Sequence, residues 1–406
     1  MATPWTTASV ADCLTHVPAA GKTKLQARDY KPAGRFPVVD QGQERIAGWT
    51  DDESAVISEP LPLIVFGDHT RTFKFIDHPF ARGADGTQLL RPRPGIDPLF
   101  FFYACKAIDL PARGYNRHFT ILKEQDLSYP TEAEQQAVGS VLRRIDFALE
   151  QQSALLLNAQ ALKQAAMREL FSRGLRGEPQ KDTEIGTMPA SWLVARIADI
   201  ALRTQYGLSI RGQAQGAYPI LRMNCQEDGR VMFRDLQFVD LDDTVFSAFR
   251  LEAGDLLFNR TNSIEHVGRT AVYKGDREAV FASYLIRLSV DTTRVAPRYL
   301  NYYMNWPAVQ ADIKRLASRA VGQANINASK LRTIQFPMPP TLEEQAEVVA
   351  VLDAIDRKID LHQRKRVVLQ DLFKALLHKL MTGEIAIDEL DLSALERVDA
   401  PEGAHA

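Results

Sequence analysis

Side chains able to hydrogen-bond to bases or phosphates cluster in loops that follow strand-like runs. In the amino-terminal half they are Gln41, Gln43, Arg45, His69, Thr70, Arg71, Tyr115, Asn116, Arg117 and His118. In the carboxy-terminal half they are Arg222, Asn224, Asn259, Arg260, Thr261, Asn262, Arg319, Gln323 and Asn325. These residue types bond base edges and phosphate oxygens in nucleic-acid complexes. Each one alone is better explained as part of an ordinary solvated loop, so the hypothesis of a nucleic-acid interface depends on the clusters.

Motifs for catalysis are weak by comparison. The run Ala20-Gly21-Lys22-Thr23 resembles part of a phosphate-binding loop, but the position that requires the first glycine is His16. The sequence contains no glycine-rich dinucleotide loop, nucleophile elbow or paired-histidine zinc motif. Asp68-His69 could act as an acid–base pair, yet no nucleophile or second carboxylate accompanies it at a suitable spacing. The sequence therefore favours a binding protein without catalytic residues or a bound metal.

Composition points to a globular protein with segregated charge. Hydrophobic residues make up 45% and charged residues 25% of the chain, and the formal net charge is −2. A uniformly basic surface is thus excluded, although residues 313–342 carry five Lys and Arg residues and no acid. No apolar run is long enough to span a membrane, the first residues lack a secretory signature, and the three cysteines are widely separated. We expect a cytoplasmic protein that does not bind membranes.

Two segments of the chain are repeated. Residues Trp5 to Asp12 recur as Trp192 to Asp199, and Thr131 to Leu170 match Thr341 to Leu380 without a gap. Identities in the longer match include Gln135 with Gln345, Leu142 with Leu352 and Asp146 with Asp356. The offset grows from 187 to 210 between the two matches, so the extra residues lie in the globular part of the second half. A tandem duplication explains this pattern.

Each copy of the longer match predicts one long amphipathic helix. Thr131 with Glu134, and Thr341 with Glu344, have the spacing of a capping box. Apolar residues then follow a 4-3 alternation, at Val138, Leu142, Ile145, Leu149, Leu156, Ala159, Ala166 and Leu170, and at Val348, Leu352, Ile355, Ile359, Leu369, Phe373, Leu376 and Leu380. About 40 residues form a helix about 60 Å long. Because such a stripe exceeds the width of one domain, we expect the helices to pair; the alternative is that each packs only on its own domain.

The remaining segments define the domain organisation. Strand-like runs occur at residues 36–39, 63–66, 218–221, 255–258 and 285–288, separated by polar loops. The sequence therefore predicts an α+β fold, with two mixed α/β domains that are each followed by a long helix. The predicted boundaries are a first domain at 1–129, a helix at 130–173, a linker at 174–191, a second domain at 192–339, a helix at 340–383 and an acidic tail at 384–406.

With these residues in place, the chain resembles the specificity subunit of type I restriction–modification systems. The run from Gln323-Ala324-Asn325-Ile326-Asn327 through Pro337-Met338-Pro339-Pro340 into Glu344-Gln345 is similar to that family's passage from a target recognition domain into a spacer helix. The stretch from Leu170 to Glu178 is similar to the family's central junction. Further similar blocks are Gly67-Asp68-His69-Thr70-Arg71, Gly83-Ala84-Asp85-Gly86-Thr87 and Gly114-Tyr115-Asn116-Arg117-His118-Phe119.

The resemblance implies a function for every segment. Two target recognition domains would each recognise one half of a bipartite, asymmetric site in double-stranded DNA. The two helices would form an antiparallel coiled coil that sets the gap between the half-sites. Two methyltransferase subunits would dock on this chain, and restriction/translocase subunits would join them. S-adenosylmethionine, ATP and magnesium would be used by those partners, and this chain would bind none of them.

Three alternatives remain open from the sequence. The nearest is a recognition subunit of a methylation-only or rearranged system, which would share every site residue. A coiled-coil adaptor that binds only protein would use the helices but not the polar loops. An enzyme would use Asp68-His69 in a pocket lined by loops.

Overall fold

The computed structural model describes residues 5–18, 22–83, 86–111, 118–320 and 322–391, except for the side chains of residues 319 and 320. The chain divides into two compact units. The first contains the residues up to Leu155 together with those from His362 onward, and the second contains Leu156–Leu361. Each unit therefore holds one globular part and one segment of each long helix.

The first unit contains mixed helices and strands. Its strands are β1 (Thr6–Ser9), β2 (Phe36–Val39), β3 (Gly48–Thr50), β4 (Val56–Ile57), β5 (Leu63–Gly67), β6 (Phe73–Ile76), β7 (Phe80–Arg82), β8 (Thr87–Leu90) and β9 (Asp126–Tyr129). Its helices are α1 (Val10–Cys13), α2 (Pro98–Ala107), α3 (His118–Lys123) and the start of α4 (Glu132–Arg173). The strands form sheets in the orders β3-β2-β7-β4, β6-β5-β8 and β1-β9.

The second unit is richer in strands. They are β10 (Gln180–Thr183), β11 (Gly186–Pro189), β12 (Leu193–Arg196), β13 (Ala201–Tyr206), β14 (Tyr218–Leu221), β15 (Gln226–Glu227), β16 (Arg230–Val231), β17 (Gln237–Val239), β18 (Leu256–Asn259), β19 (Thr261–Asn262), β20 (Thr270–Val272), β21 (Val280–Phe281), β22 (Leu285–Val290), β23 (Ser318–Ala320), β24 (Gln323–Asn325) and β25 (Gln335–Met338). Its helices are α5 (Ile197–Ile200), α6 (Asp243–Phe249), α7 (Pro297–Asn305), α8 (Pro307–Arg315), α9 (Ala328–Arg332) and the start of α10 (Leu342–Met381).

The largest sheet of the second unit has the order β13-β22-β18-β20-β16-β15. Smaller sheets are β17-β14-β21, β19-β24-β23, β12-β25 and the hairpin β10-β11, which lies in the segment that the sequence predicts as a linker. The five strand-like runs noted in the sequence form β2, β5, β14, β18 and β22. These strands are buried almost throughout, because their apolar side chains line the cores of the two units.

The duplication is visible in the topology. In the first unit β1 pairs antiparallel with β9, the strand that leads into α4. In the second unit β12 pairs in the same way with β25, the strand that leads into α10. A short helix follows directly in both cases, α1 after β1 and α5 after β12. In each unit the repeated tryptophan-containing segment therefore pairs with the strand that leads into the long helix.

Segments of the two long helices pack together inside each unit. In the first unit Leu142 and Ile145 of α4 share a hydrophobic core with Phe373 and Leu380 of α10. In the second unit Leu156 and Ala159 of α4 pack with Ile359 of α10. All of the apolar positions that alternate along both helices are buried or half-buried. The predicted pairing of the helices is confirmed, and the helices also pack on their own domains.

The two helix starts are capped differently. Thr131 and Glu134 form the predicted capping box: the Glu134 amide donates to the Thr131 hydroxyl (3.5 Å), and the Thr131 amide donates to the Glu134 carboxylate (3.1 Å). At α10 the Glu344 amide donates to the Thr341 hydroxyl (3.2 Å), but the Glu344 carboxylate accepts a hydrogen bond from the indole of buried Trp192 (3.2 Å). The second box is therefore only half formed, because the carboxylate serves tertiary packing.

The repeated glutamine explains how each domain is held to its helix. Gln135 accepts a hydrogen bond from the backbone N–H of Asp97 (2.8 Å), the N-cap residue of α2. Gln345 accepts one from the backbone N–H of Ala296 (2.7 Å), the N-cap residue of α7. Both carboxamides are nearly inaccessible to solvent and also donate to backbone carbonyls, that of Gln135 to Pro130 and that of Gln345 to Arg294. These glutamines satisfy backbone groups that burial would otherwise leave unpaired.

Buried cysteines carry no reactive thiol. Cys13, Cys105 and Cys225 are all unpaired and buried. Burial raises the pKa of each thiol above its ordinary value, so the thiols stay protonated. They pack as small apolar side chains. Among the helices that the structure describes, none is both long and apolar enough to cross a membrane.

Replacing Gln135 with alanine should destabilise the first unit by about 1–3 kcal/mol, because it leaves the Asp97 amide and the Pro130 carbonyl without their partner. The free energy of unfolding, measured by urea denaturation followed by circular dichroism, checks this. Gln151→Ala, at an exposed position of the same helix, is the matched control. Equal losses for the two variants would contradict the assignment.

Candidate nucleic-acid interface

In the first unit two of the predicted loops meet where β2 and β5 end. The Thr70 hydroxyl donates to the backbone carbonyl of Gln41 (2.5 Å), and the His69 amide donates to the Gln41 side-chain oxygen (3.3 Å). A side chain at Gly67 would collide with the Thr70 hydroxyl, so glycine is required for this close approach. The structure thus brings together three candidates, Gln41, His69 and Thr70, that are up to 29 residues apart in sequence.

A buried lysine supports the start of this loop. Lys74 on β6 donates from its ammonium group to the backbone carbonyl of Asp40 (2.8 Å). Burial lowers the pKa of Lys74 below its ordinary value, while the nearby Asp40 carboxylate opposes this effect. The buried ammonium group of Lys74 therefore stabilises the loop after β2 and does not face solvent, where a ligand would bind.

Gln43, Thr70 and Arg71 line a single hollow of about 500 Å³. Arg71 has φ of +60°, in the left-handed region that is uncommon for a side-chain-bearing residue. Its guanidinium donates to the Leu110 carbonyl (2.7 Å), which fixes the side chain across the hollow. Arg45 lies elsewhere and pairs with Glu150 of α4 at 3.3 Å. Of the two arginines in these loops, Arg71 is therefore the one beside the hollow.

Asp68 and His118 are buried, and their side chains form hydrogen bonds with backbone groups. The Asp68 carboxylate accepts a hydrogen bond from the Phe119 amide (2.8 Å), and the Asp68 carbonyl lies 2.8 Å from His118 Nδ1. Both residues are less than 5% exposed, so this arrangement ties the loop after β5 to α3. Asp68 is thus explained by the fold without an acid–base role, and His118 does not lie at the surface. Tyr115, Asn116 and Arg117 lie outside the described residues.

In the second unit candidates separated by more than sixty residues form one network. Strand β19 pairs antiparallel with β24, which places Thr261 opposite Asn325. The Asn325 amide donates to the Thr261 hydroxyl (2.7 Å), and the Arg260 guanidinium donates to the Asn325 side-chain oxygen (3.3 Å). Gln323 is exposed on β24, the strand that also carries Asn325. The backbone of Arg319 in β23 pairs with Ala324 of β24, and the side chain of Arg319 lies outside the described part.

Two exposed tyrosines that the sequence analysis missed flank Arg260. The Arg260 guanidinium lies over the Tyr206 ring, 4.8 Å from its centre, and the Arg260 amide donates to the Tyr284 carbonyl (3.0 Å). The side chains of Tyr206 and Tyr284 are 41% and 44% exposed. The exposed ring of Tyr206 therefore places apolar surface beside a cation. In the sequence, the contact between Tyr206 and Arg260 is signalled only by their positions. Tyr206 ends one strand, and Arg260 directly follows another.

The other candidates of this unit line a separate polar hollow. It measures about 500 Å³ and is lined in part by Asn224, Asn259 and Asn262, with His266 and Arg269 at exposed positions. Asn259 is 2% exposed, and its side-chain oxygen has no partner among the described residues. Arg222 instead donates to the Asp235 carbonyl (2.8 Å) and supports a turn. The second unit therefore presents two neighbouring groups of candidates, the Arg260 network and this hollow.

Within the described ranges, no group of three or more His, Cys, Asp or Glu residues is arranged to hold a metal ion. The sites of both units consist of amides, hydroxyls, guanidinium groups and aromatic rings. Such groups exchange hydrogen bonds with bases and phosphates. Their arrangement supports recognition of a polar, anionic polymer by surfaces that are already ordered.

Comparison with known proteins finds similarity to one family over part of the chain. Residues 191–371 match the family described as "Type I restriction modification DNA specificity domain". The putative type I restriction enzyme MjaX specificity subunit of Methanocaldococcus jannaschii is 32% identical over 205 residues, which are 50% of this chain and 48% of that protein. The EcoKI specificity subunit of Escherichia coli is 27% identical over 190 residues, 44% of this chain and 40% of that protein. The chain spans about half the length of the curated relatives it matches.

The fold is shared over a greater length. The crystal structure of a type I restriction–modification system S subunit from M. genitalium superposes with a TM-score of 0.64. The alignment covers 93% of this chain and 96% of that protein, at 15% sequence identity. The resemblance noted from the sequence is confirmed by the family match and the curated relatives, and the predicted α+β fold with paired helices by the shared architecture.

Asp68→Ala should destabilise the first unit by about 1–3 kcal/mol, since the amide of half-buried Phe119 loses its buried acceptor. Asp109→Ala, at an exposed position of the same unit, should change the stability by less than about 0.5 kcal/mol. Chemical denaturation of both variants checks the difference. If Asp68→Ala left the stability unchanged, the structural role of this carboxylate would be refuted.

Proposed function

We propose that this chain, which carries a domain of the type I restriction modification DNA specificity family, recognises double-stranded DNA as the specificity subunit of a type I restriction–modification complex. The observation that carries the proposal is the convergence of Arg260, Thr261 and Asn325 in the second unit. Guanidinium and carboxamide groups form the hydrogen bonds that distinguish base pairs in the major groove. Recognition by local clusters also agrees with a net charge of −2, because affinity depends on where the cations lie.

The presence of two units supports the proposal of a bipartite and asymmetric DNA site. Each unit has its own globular part with its own polar surface, so each recognises one half-site. The surfaces differ in chemistry: Gln41, His69 and Thr70 meet in the first, whereas Arg260 and Asn325 meet beside the Tyr206 ring in the second. Different donors and acceptors select different bases, so the half-sites differ in sequence. The paired helices set the gap between them.

Exposed apolar side chains on the long helices favour docking of partner proteins. In the first unit Val367 and Val368 of α10 are 52% and 65% exposed. In the second unit Leu157 of α4 and Leu361 of α10 are 66% and 50% exposed. Adjacent exposed apolar side chains, such as Val367 and Val368, provide apolar surface that a partner protein can cover. We assign these surfaces to two methyltransferase subunits, which restriction/translocase subunits join.

Catalysis belongs to the partners in this proposal. The methyltransferase subunits use S-adenosylmethionine, and the restriction/translocase subunits use ATP and magnesium. This chain supplies sequence recognition and binds none of these cofactors. A protein-only adaptor is the competing function, and binding of specific DNA sequences distinguishes the two.

Arg260→Ala should relax the recognition of one half-site and leave the other unchanged, since the guanidinium belongs to the second unit alone. We expect about tenfold weaker binding of the preferred sequence. The measurement is selection of bound duplexes from a random pool by the complex isolated through a tag on this chain, followed by sequencing.

Arg250→Ala is the matched control, because this exposed arginine lies outside both groups of candidates and its side chain pairs with Glu278 on the surface, at 3.6 Å. It should select the wild-type motif. Equal loss of both half-sites in Arg260→Ala would contradict recognition by two independent units. Absence of any selected motif with the wild-type complex would refute the proposed function.

A further inference from the structure

Both long helices carry a pair of acids at matching positions. Asp146 and Glu150 lie one turn apart on α4, and Asp356 and Asp360 occupy the corresponding positions on α10. Residues four apart share one face of a helix and are separated by about 6 Å along its axis. We call these two pairs the acid pairs. Solvent exposure alone does not require acids at the same two positions of both helices. The contacts of the acid pairs can show what these acids do.

In the first unit a tyrosine and an arginine of the globular part bind the acid pair. The Tyr103 hydroxyl of α2 donates to the Asp146 carboxylate (3.2 Å). The Arg45 guanidinium, in the loop after β2, donates to the Glu150 carboxylate (3.3 Å). Lys106 adds a second cation, 3.4 Å from Asp146.

In the second unit the same two residue types bind the equivalent acids. The Tyr302 hydroxyl of α7 donates to the Asp356 carboxylate (2.7 Å), and the Arg230 guanidinium of β16 donates to the Asp360 carboxylate (2.6 Å). Burial and the neighbouring carboxylates raise the pKa of Tyr302 well above its ordinary value, so its hydroxyl remains a donor. Lys163 of α4 completes the group, 2.6 Å from Asp356.

The tyrosines come from equivalent helices, and the arginines come from equivalent connections of different length. Pro98 to Tyr103 of α2 and Pro297 to Tyr302 of α7 have the same spacing. Arg45 lies between β2 and β3, and Arg230 of β16 lies between β14 and β17; β2 and β14 each pair antiparallel with the later of these strands and parallel with a third strand, β7 or β21. The second connection contains the additional strands β15 and β16, yet an arginine reaches the matching acid in both units, so this contact has a use of its own.

That use follows from geometry. The repeated glutamine and the adjoining strand pair hold each domain at the start of its long helix. The acid pairs lie 11 and 15 residues farther along the helix, which is about 16 to 22 Å at about 1.5 Å per residue. Contacts at this second place, made by two elements of the domain, restrain its rotation about the first. Charge-assisted hydrogen bonds from arginine to carboxylate are strong and directional, which suits them to this task.

We propose that the acid pairs orient each recognition domain on its helices and thereby restrict the gap accepted between the two DNA half-sites. Tyr103 and Arg45 are the positioning residues of the first unit, and Tyr302 and Arg230 are those of the second. This inference depends on the proposed function, because it concerns how precisely a bipartite site is measured.

Selection of bound duplexes from a random pool tests the inference in the isolated complex. Arg230→Met should increase the fraction of selected sites whose gap is one base pair longer or shorter by about fivefold, since a restraint of the second domain is lost. The sequences of both half-sites should stay as in the wild type. Arg250→Met, which breaks an exposed pair inside the globular part, should leave the gap unchanged.

A charge exchange separates positioning from general damage. Arg230→Asp and Asp360→Arg should each broaden the gap distribution, and the double variant should narrow it again because the ion pair is restored in reverse. A gap distribution that stays narrow in Arg230→Met would overturn the inference while leaving the proposed function intact. Failure of the wild type to select any bipartite motif would instead refute the proposed function.

The equivalent contact in the first unit, between Arg45 and Glu150, allows the same experiment to be done independently. If melting temperatures show that the second-unit variants do not fold, Arg45→Met and its charge exchange with Glu150 address the same question. Broadened gaps in that unit support the inference, and unchanged gaps contradict it.

Discussion

The buried carboxamides of Gln135 and Gln345 are the contacts on which both globular parts depend. Each joins the start of a long helix to the N-cap residue of the domain helix beside it, α2 or α7. Because a buried backbone N–H without a partner is costly, this contact has few substitutes. It fixes where each domain begins on its helix, and the adjoining strand pairs β1-β9 and β12-β25 close the same junction. The polar surfaces proposed to recognise DNA are therefore carried on rigid supports.

Residues that match between the two halves have structural roles, whereas the residues proposed to bind DNA differ between the halves. The repeated glutamines and acids hold domains to helices, and the repeated apolar positions pair the helices. The polar loops are not repeated, and they form different networks in the two units. A scaffold of fixed contacts that carries two different polar surfaces agrees with the asymmetric bipartite DNA site that we propose.

The sequence predicts the helices well because their signals are local. Capping spacing and a regular apolar stripe define α4 and α10 without knowledge of the rest of the chain. It does not predict that Glu344 accepts from Trp192, or that Arg260 joins Asn325 and Tyr206, because these contacts depend on how distant strands align. The role of Arg45 beside Glu150 is hidden for the same reason, since a loop arginine has no local signature of its partner.

Genome-wide sequencing of modified bases, in cells with and without this chain, tests the central claim most directly. The account predicts that one bipartite and asymmetric motif is modified only when the chain is present, and that its two halves are separated by a gap of unspecified bases. Modification that persists without the chain, or a dependent motif that is continuous or symmetric, would contradict recognition of two different half-sites by the two units.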